Sequence, residues 1–351
     1  MTVPGALTYP EISSQHEAIA KAWEQLLARQ DWIRNYFMNP KYDETIFIGS
    51  GSSYYQALTM ASTFRKWTGK AAAAHPSSEI FLFRDAAAAR NKKMLLVGVS
   101  RSGESSEAVL ALESVKASPD WDVCGVTCYE QSSMAQIAEC LVSPLGKEKS
   151  TVMTKSFSSM TYMMQTAIAY ASAKPELIDE MSQLPGLCES NVKRADEFVQ
   201  PFVQRHDFNK FIFLGMGSYF GLAQEASLKL KEMSYSWTES FGTLEFRHGP
   251  KSVVDEGTLV CLILSEQARG YELKVAREMK DYGAAVMIVT AKASDDTAFA
   301  DAVFQTGGEL LSDEARAVLN LPALQYFGLY TAIKKNIDPD HPRNLTQVVK
   351  I

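Results

Sequence analysis

The chain of 351 residues is 46% hydrophobic and 22% charged, and its 35 basic and 41 acidic side chains give a net charge of −6. This length suits about two domains of roughly 150 residues each, and the composition argues against a disordered chain and against a nucleic-acid partner. No apolar run reaches the ~20 residues that span a bilayer, and the N-terminus lacks a signal-peptide pattern, so we expect a cytoplasmic protein without a membrane partner.

The cysteines and histidines follow no metal-binding or disulfide pattern. There are five of each, and none has CxxC, HExxH or HxxxH spacing. An odd number of cysteines without such spacing predicts neither a disulfide framework nor a zinc site. Cys124 and Cys261 lie in apolar runs, which predicts buried thiols. We therefore expect no metal.

In chain order, a helical arm at residues 1–34 comes first, followed by a segment that occurs twice. The strand-like run TIFIGSGSSYY at 45–55 stops at a Gly-x-Gly-Ser turn and continues as a helical pattern. KFIFLGMGSYF repeats this arrangement at 210–220, with Gly49 and Gly215 lying 166 positions apart. A match of this kind between distant segments indicates an internal repeat.

Two further strand-like runs recur in the same order. MLLVGVS ends at Ser100 and LVCLILS at Ser265, and after them VCGVT ends at Thr127 and VMIVT at Thr290. Continuous runs of Val, Ile and Leu separated by helical segments are typical of buried parallel strands in βαβ units. The sequence therefore predicts an α/β protein of two doubly wound parallel-sheet domains related by internal duplication. Because residues 174–205 are polar and helix-like, we place these domains at 35–190 and 191–351.

In sheets of this kind, ligands bind beyond the carboxyl ends of the strands. The Gly-x-Gly turns lack the third glycine of a dinucleotide fingerprint and there is no P-loop, so no nucleotide cofactor is expected. The segment from Ser100 to Ser105, SRSGES, instead places three hydroxyls and a guanidinium before a helical pattern. Helix capping would explain one serine, whereas the whole cluster suits a phosphate at a helix N-terminus.

A second hydroxyl-rich segment runs from Ser150 to Ser156 before the helical run FSSMTYMMQTAIAYA, where a helix cap is the alternative interpretation. The turn of the second half that corresponds to SRSGES, from Ser265 to Arg269, has lost most hydroxyls and gained an acid. Only the first half therefore has the composition of a phosphate site.

Ionisable side chains are concentrated in the second half, at 221–235. Glu225, Lys229 and Glu232 fall at i, i+4 and i+7 and share one helical face. An exposed ladder of salt bridges is the alternative, but this helix follows the Gly-x-Gly-Ser turn at the ligand end of the sheet, where a carboxylate can serve as a base. His248 lies in a Gly-Pro loop and is a candidate proton shuttle. Together these groups suit proton transfer on a phosphorylated small molecule.

Five segments in this order, GSGSS, SRSGES, EASLKLKE, EFRHGP and DPDHPRNL, resemble the tandem sugar isomerase (SIS) domains of the phosphosugar isomerase family. The resemblance runs from about residue 35 to the C-terminus and is greatest to the isomerase half of glucosamine-6-phosphate synthase and to amino-sugar-phosphate isomerase/deaminases, including the galactosamine-6-phosphate branch. It implies an enzyme that moves a proton between C1 and C2 of a sugar 6-phosphate, and a homodimer with shared active sites. The glutamine amidotransferase domain of the synthase has no counterpart here, so ammonia from glutamine is not expected.

The resemblance also implies a role for each matching residue. Glu232 falls on the base of the family, with Lys229 and Glu225 as neighbours on its helix, and His248 on the histidine that opens the sugar ring from the other subunit. Ser52 is a supporting residue. The side chains implied in binding the sugar phosphate, the last of them on a loop that closes over the sugar, are Ser53, Ser100, Arg101, Ser102, Ser105 and Thr151.

Two positions depart from the pattern of the synthase. Arg101 replaces a glutamine, as in the deaminase branch, and Gln347 stands where the synthase has a lysine near the reacting oxygens of the sugar. An amide donates hydrogen bonds but carries no charge to a developing oxyanion, so amination is not expected. Lys350, three positions further on, is a candidate replacement.

Three functions follow as hypotheses. The first is aldose–ketose isomerisation of a sugar 6-phosphate, most naturally an amino sugar phosphate, with or without release of ammonia. The second is a deglycase that splits fructosamine-type phosphates, which uses the same enolisation but needs room for the amine. The third is a non-catalytic phosphosugar-binding regulator, which would need a DNA-binding segment that the short acidic arm does not resemble.

Overall fold

The computed structural model describes residues 3–351. Contacts divide this part of the chain into two compact units, each assembled from several segments. The first unit comprises Ser14–Glu148, Met153–Pro185 and Asn344–Ile351, and the second comprises the chain up to Ser13, Lys149–Val152 and Gly186–Arg343. The domain boundary predicted at residue 190 lies within a continuous helix, α10, Pro175–Arg205.

The first unit is built on a parallel sheet with the strand order β2-β1-β3-β4-β5. Its strands are β1 Glu44–Gly49, β2 Ala72–Pro76, β3 Met94–Val99, β4 Trp121–Thr127 and β5 Glu139–Val142. The helices from α2 to α9 are Gln15–Leu27, Gln30–Asn35, Ser52–Thr68, Ser77–Leu82, Arg84–Ala87, Ser106–Lys116, Ser133–Ile137 and Lys155–Ala171, and α1 is Thr8–Ser13 of the second unit. All six residues of β3 are buried, as expected of a strand covered on both faces.

The second unit repeats this topology. Its parallel sheet has the order β10-β9-β8-β6-β7, so β6 and β8 correspond to β1 and β3 at the centre of the first sheet. The strands are β6 Lys210–Leu214, β7 Thr238–Phe241, β8 Thr258–Ile263, β9 Ala285–Thr290 and β10 Ala302–Gln305. The helices that follow α10 are α11 Tyr219–Ser234, α12 Arg269–Asp281 and α13 Asp313–Lys334. The predicted α/β fold with two similar parallel-sheet domains is confirmed.

The repeated Gly-x-Gly turns have a steric cause in both units. A Cβ atom at Gly49 would lie 2.3 Å from the backbone of the helix that follows, and one at Gly215 would lie 2.5 Å from the corresponding backbone. Gly51 and Gly217 both have φ of +57°, a conformation that costs glycine little. The first glycine therefore lets the helix approach the strand end, and the second turns the chain into the helix.

Each sheet has its own apolar core, with Ile46, Leu96 and Leu112 in the first unit and Ile212, Val260 and Val275 in the second. Within residues 3–351, no helix is both long enough and apolar enough to cross a membrane.

Candidate functional site

The predicted anion-binding turn lies between β3 and α7 in the first unit. Ser100 directly follows β3 and Ser105 directly precedes α7. The main-chain N–H of Gly103 donates to Ser100 Oγ at 3.1 Å, and the N–H of Glu104 donates to Ser102 Oγ at 3.1 Å. A hydroxyl that accepts such a bond keeps its own proton for donation to a ligand. The two serines can therefore shape the turn and bind an anion at the same time.

Gly103 is the residue that lets the turn close. Its φ is +65°, and a Cβ atom there would lie 2.2 Å from Ser132 Oγ. A side chain at this position would both strain the backbone and displace the start of α8. The SRSGES segment thus has a conformational need for its glycine as well as a chemical use for its serines.

The turn borders a cleft of about 630 Å³ in the first unit. Arg101 and Ser102 line this cleft together with Gln347 from the C-terminal segment, so predicted residues from two distant parts of the sequence lie around one cavity. Lys147 and Glu104 add charge of both signs to its walls.

Ser52 and Ser53 lie at the same edge of the first sheet as this turn. They are the first two residues of α4, which follows β1, and β1 is the hydrogen-bonded neighbour of β3. Both serines are buried. Ser53 Oγ contacts the sulfur of Met153 at 4.0 Å. A helix N-terminus that carries two hydroxyls at the carboxyl edge of the sheet has the right chemistry for an anion.

Glu148 is a buried carboxylate that the sequence analysis did not predict. It contacts the SRSGES turn through Arg101. Arg101 Nη1 donates to its Oε2 at 3.2 Å. The N–H groups of Thr154 and Ser156, at the start of α9, donate to its Oε1 at 2.6 and 3.2 Å. In the sequence, Glu148 is an acid that precedes the hydroxyl-rich segment. No local pattern indicates that its partner is Arg101.

The C-terminal segment of the first unit runs beside α7. Arg101 Nη2 donates to the main-chain oxygen of Gln347 at 3.4 Å, while the side chain of Gln347 is exposed. Lys350 Nζ donates to the main-chain oxygen of Glu104 at 2.8 Å and lies 3.6 Å from its carboxylate. The N–H of Ser133 lowers the pKa of Glu104 most, and Lys350 lowers it further. The ammonium of Lys350 is thus engaged with Glu104.

Thr151, predicted to lie on a closing loop, belongs to the second unit. Its N–H donates to the main-chain oxygen of Asp340 at 3.1 Å. Next to it, Glu11 of the N-terminal arm accepts from the N–H of Lys149 at 2.6 Å and from the hydroxyl of Ser150. The loop is therefore anchored by the arm and by the residues that follow α13.

The acid–base residues lie on α11 in the second unit, and two of the three are buried. The side chains of Glu225 and Lys229 are each 1% exposed, and that of Glu232 is 18% exposed. Lys229 Nζ lies 3.5 Å from Glu225 Oε1 and makes a direct ion pair with Glu232. α11 therefore does not carry an exposed ladder of salt bridges, which was the alternative interpretation. Because burying charges is costly, such a cluster points to a functional or positioning role.

His248 lies in the loop after the short 3-10 turn Glu245–Arg247 and is exposed. Its main-chain N–H donates to the oxygen of Glu245 at 2.9 Å. The neighbouring Arg247 pairs with Glu278 on α12 at 2.9 Å, which fixes the base of the loop. The imidazole is therefore carried on an anchored loop.

In the second unit, the turn that corresponds to SRSGES, at residues 265–269, donates hydrogen bonds to carboxylates of the same unit. The N–H groups of Glu266 and Gln267 donate to the two oxygens of Asp313 at 3.0 and 3.1 Å. Glu272 accepts from both the N–H and the hydroxyl of Ser265, at 2.9 and 2.7 Å. Burial raises the pKa of Glu272. Internal acids thus occupy the donors that a phosphate would need.

The five cysteines are all buried. The thiols of Cys124 and Cys261, predicted to be buried, are confirmed as such, and burial raises the pKa of Cys261 to about 12. Among the residues that the structure describes, no three or more His, Cys, Asp or Glu side chains are grouped as a metal ion would require.

Glutamine–fructose-6-phosphate aminotransferase (isomerizing) of Brucella abortus is 28% identical over 327 residues, which cover 89% of this chain and 52% of that protein. The enzyme of the same name from Pyrobaculum aerophilum is 26% identical and covers 97% of this chain and 57% of its own length. The chain thus spans little more than half the length of these curated relatives.

Two solved structures match nearly the whole chain. The glucosamine-6-phosphate deaminase of Thermotoga maritima is 27% identical with a TM-score of 0.72, over 94% of this chain and 100% of that one. The tagatose-6-phosphate ketose/aldose isomerase of Escherichia coli has a TM-score of 0.86 over 97% and 99%, and at 24% identity it shows a shared fold. The SIS domain model matches residues 41–170 and again residues 206–308. The chain therefore belongs to the SIS-domain family and carries that domain twice.

Proposed function

We propose that the protein is an enzyme that interconverts the aldose and ketose forms of a sugar 6-phosphate, with an amino sugar phosphate as its natural substrate. The observation that carries the proposal is the cluster on α11, where a buried Lys229 lies between Glu225 and the partly accessible Glu232. The names of the relatives support the class of substrate, since each refers to a sugar phosphate.

In this proposal the hydroxyl-rich turn binds the phosphate. Ser100, Ser102 and Ser105 donate hydrogen bonds together with Ser53, and Arg101 contributes positive charge beside them. A phosphate dianion has oxygens enough for all these donors, and helix N-termini add favourable dipoles. Because Asp313 fills the corresponding turn of the second unit, we expect one sugar phosphate per chain.

Glu232 is the proposed base that moves a proton between C1 and C2. With all three groups ionised, Glu225, Lys229 and Glu232 sum to one negative charge, so a proton accepted by Glu232 leaves the cluster neutral. Lys229 holds the Glu232 carboxylate in place and compensates the buried charge of Glu225. Preorganisation of this kind orients the base before the substrate binds.

His248 is the proposed group that opens the sugar ring, and we propose that it serves the active site of a second copy of the chain in a homodimer. Its exposure on an anchored loop supports this role, because a side chain that reaches another subunit must be accessible in one chain alone. Thr151 is the proposed contact of the closing loop with the sugar.

The deglycase hypothesis has one observation in its favour. The cleft beside the turn, of about 630 Å³, is lined by Tyr129 and Lys147 as well as by Ser102 and Gln347, and its volume offers room for an amine substituent. Lys147 lies over the ring of Tyr129 at 5.1 Å, so the wall of the cleft includes a cation that a carboxylate could meet. A fructosamine phosphate made from an amino acid would fit such a wall.

A panel of hexose 6-phosphates, hexosamine 6-phosphates and a fructosamine 6-phosphate made from an amino acid, in deuterated water, tests these functions. NMR would record deuterium at C1 or C2, free ammonia and liberated amino acid. Exchange without amine release indicates an isomerase, ammonia a deaminase, and an amino acid from a fructosamine phosphate a deglycase. Binding of every sugar phosphate with neither exchange at C1 or C2 nor formation of any product would refute an enzymatic function and favour a phosphosugar-binding regulator.

A further inference from the structure

Glu148 is a buried carboxylate for which the proposed reaction has no use. Its side chain is 0% exposed and lies at the N-terminus of α9. The hydroxyls of Thr154 and Ser156 donate to it at 2.8 and 2.5 Å, in addition to the main-chain N–H groups of both residues. The positive end of the helix and these donors stabilise the anion there. Arg101 in the SRSGES turn also donates to it.

Arg101 is fixed at both ends. Its main-chain oxygen accepts from the N–H of Cys128 at 3.0 Å and from the hydroxyl of Thr127 at 3.1 Å, which joins the turn to the end of β4. Its guanidinium donates through Nη1 to Glu148 and through Nη2 to the main-chain oxygen of Gln347. The turn, the start of α9 and the C-terminal segment thus meet at one side chain within the first unit.

Fixing a long side chain in advance favours binding. An arginine loses much rotamer freedom when it is immobilised, and this loss opposes binding if it happens only when the ligand arrives. Glu148 immobilises Arg101 without a ligand. A positive charge already held beside the hydroxyl turn can therefore stabilise an incoming anion without reorganisation.

We infer that Glu148 is a positioning residue of the anion site, which acts through Arg101 and joins the phosphate turn to the N-terminus of α9. The inference rests on the proposed function for the identity of the ligand, and it adds a residue outside the predicted set. Glu148 itself is not expected to touch the substrate.

The test is a double-mutant cycle on the full chain, with Glu148→Gln, Arg101→Gln and the double variant. Calorimetry measures the affinity for inorganic phosphate, and kinetics separate KM from kcat for the best sugar phosphate. Glu139→Gln is the matched control, since it makes the same change in the same unit on an exposed pair with Arg29. Circular dichroism and thermal melting confirm that each variant is folded.

We expect Glu148→Gln and Arg101→Gln each to weaken phosphate binding about tenfold, and the double variant to be no weaker than Arg101→Gln alone. KM should rise in parallel while kcat changes less than about threefold, because binding is affected more than chemistry. Glu139→Gln should bind phosphate like the wild type. If Glu148→Gln does not fold, Glu148→Asp, which withdraws the carboxylate by one methylene, should weaken binding only in chains that keep Arg101.

Wild-type phosphate affinity in Glu148→Gln, or losses that add in the double variant, would overturn the inference. The failure of the proposed function is a separate result. A chain that shows the expected cycle with inorganic phosphate but turns over no sugar phosphate would refute the proposed reaction and leave the role of Glu148 intact.

Discussion

At the scale of single residues, Lys229 shows how the proposed chemistry and the stability of the second unit are linked. Its side chain is 1% exposed, and its ammonium compensates two carboxylates on the same helix. We expect Lys229→Met to lower the free energy of unfolding by about 3 kcal/mol, because it leaves buried negative charge uncompensated. Urea denaturation followed by circular dichroism measures this change.

The control for that variant is Lys210→Met, which removes a lysine from an exposed pair with Asp255 on the same unit. Exposed pairs contribute little, so the loss there should stay below about 1 kcal/mol. Equal losses in the two variants would show that the burial of Lys229 has no energetic consequence.

Single residues also show which parts of the candidate site could be predicted from the sequence. The serines of the SRSGES turn could be singled out because they are clustered in the chain and lie ahead of a helix. Glu148 could not, because its role depends on contact with Arg101, which lies 47 positions earlier. The hydrogen bonds that Asp313 accepts in the corresponding turn of the second unit could not be predicted for the same reason. The loss of hydroxyls in that turn was visible in the sequence.

At the scale of elements, the architecture depends on the strand-to-helix turns. The first glycine of each turn is the position most sensitive to substitution. Because a Cβ atom at Gly49 would lie 2.3 Å from the backbone of α4, we expect Gly49→Ala to cost about 3 kcal/mol and to displace the start of α4 with Ser52 and Ser53. Gly186→Ala is the opposite case, since Gly186 lies in α10 with open space around its Cβ position, and should stabilise the chain by about 1 kcal/mol. Thermal melting of both variants checks this, and a neutral Gly49→Ala would contradict it.

The central strands were predictable and the edge strands were not. The runs that became β1, β3, β4, β6, β8 and β9 are apolar and continuous, which is the pattern of strands buried on both faces. β2 has the sequence AAAHP, whose alanines and proline have low strand propensity, and it is only partly buried. Its pairing with β1 arises from tertiary contact that no local pattern encodes.

At the scale of the whole molecule, the duplication has produced two units with the same topology and different chemistry. The first keeps a hydroxyl-rich turn beside a cleft, whereas the second has Asp313 and Glu272 as acceptors in its corresponding turn and carries the acid–base residues of α11. The fold and the repeat could be predicted from strand patterns alone. The positions of the acids in the two turns could not be predicted, because they depend on side chains that α12 and α13 supply.

The proposed homodimer with shared sites makes a prediction at this scale. Glu232→Gln and His248→Asn chains should each be inactive alone, yet recover activity when they are unfolded and refolded together. Random pairing of two such chains gives about a quarter of the wild-type sites, because half of the dimers are mixed and each mixed dimer has one intact site. Activity after mixing, with each variant refolded alone as the control, measures this, and no recovery in confirmed mixed dimers would argue that each chain uses its own His248.

The most direct test of the central claim is solvent exchange in Glu232→Gln. With the best sugar phosphate in deuterated water, the wild type should place deuterium at C1 or C2. The variant should bind the same substrate with unchanged affinity but exchange it at least about a thousandfold more slowly, as expected for the loss of a general base. Exchange at the wild-type rate in Glu232→Gln would contradict the assignment of the base and, with it, the proposed role of α11.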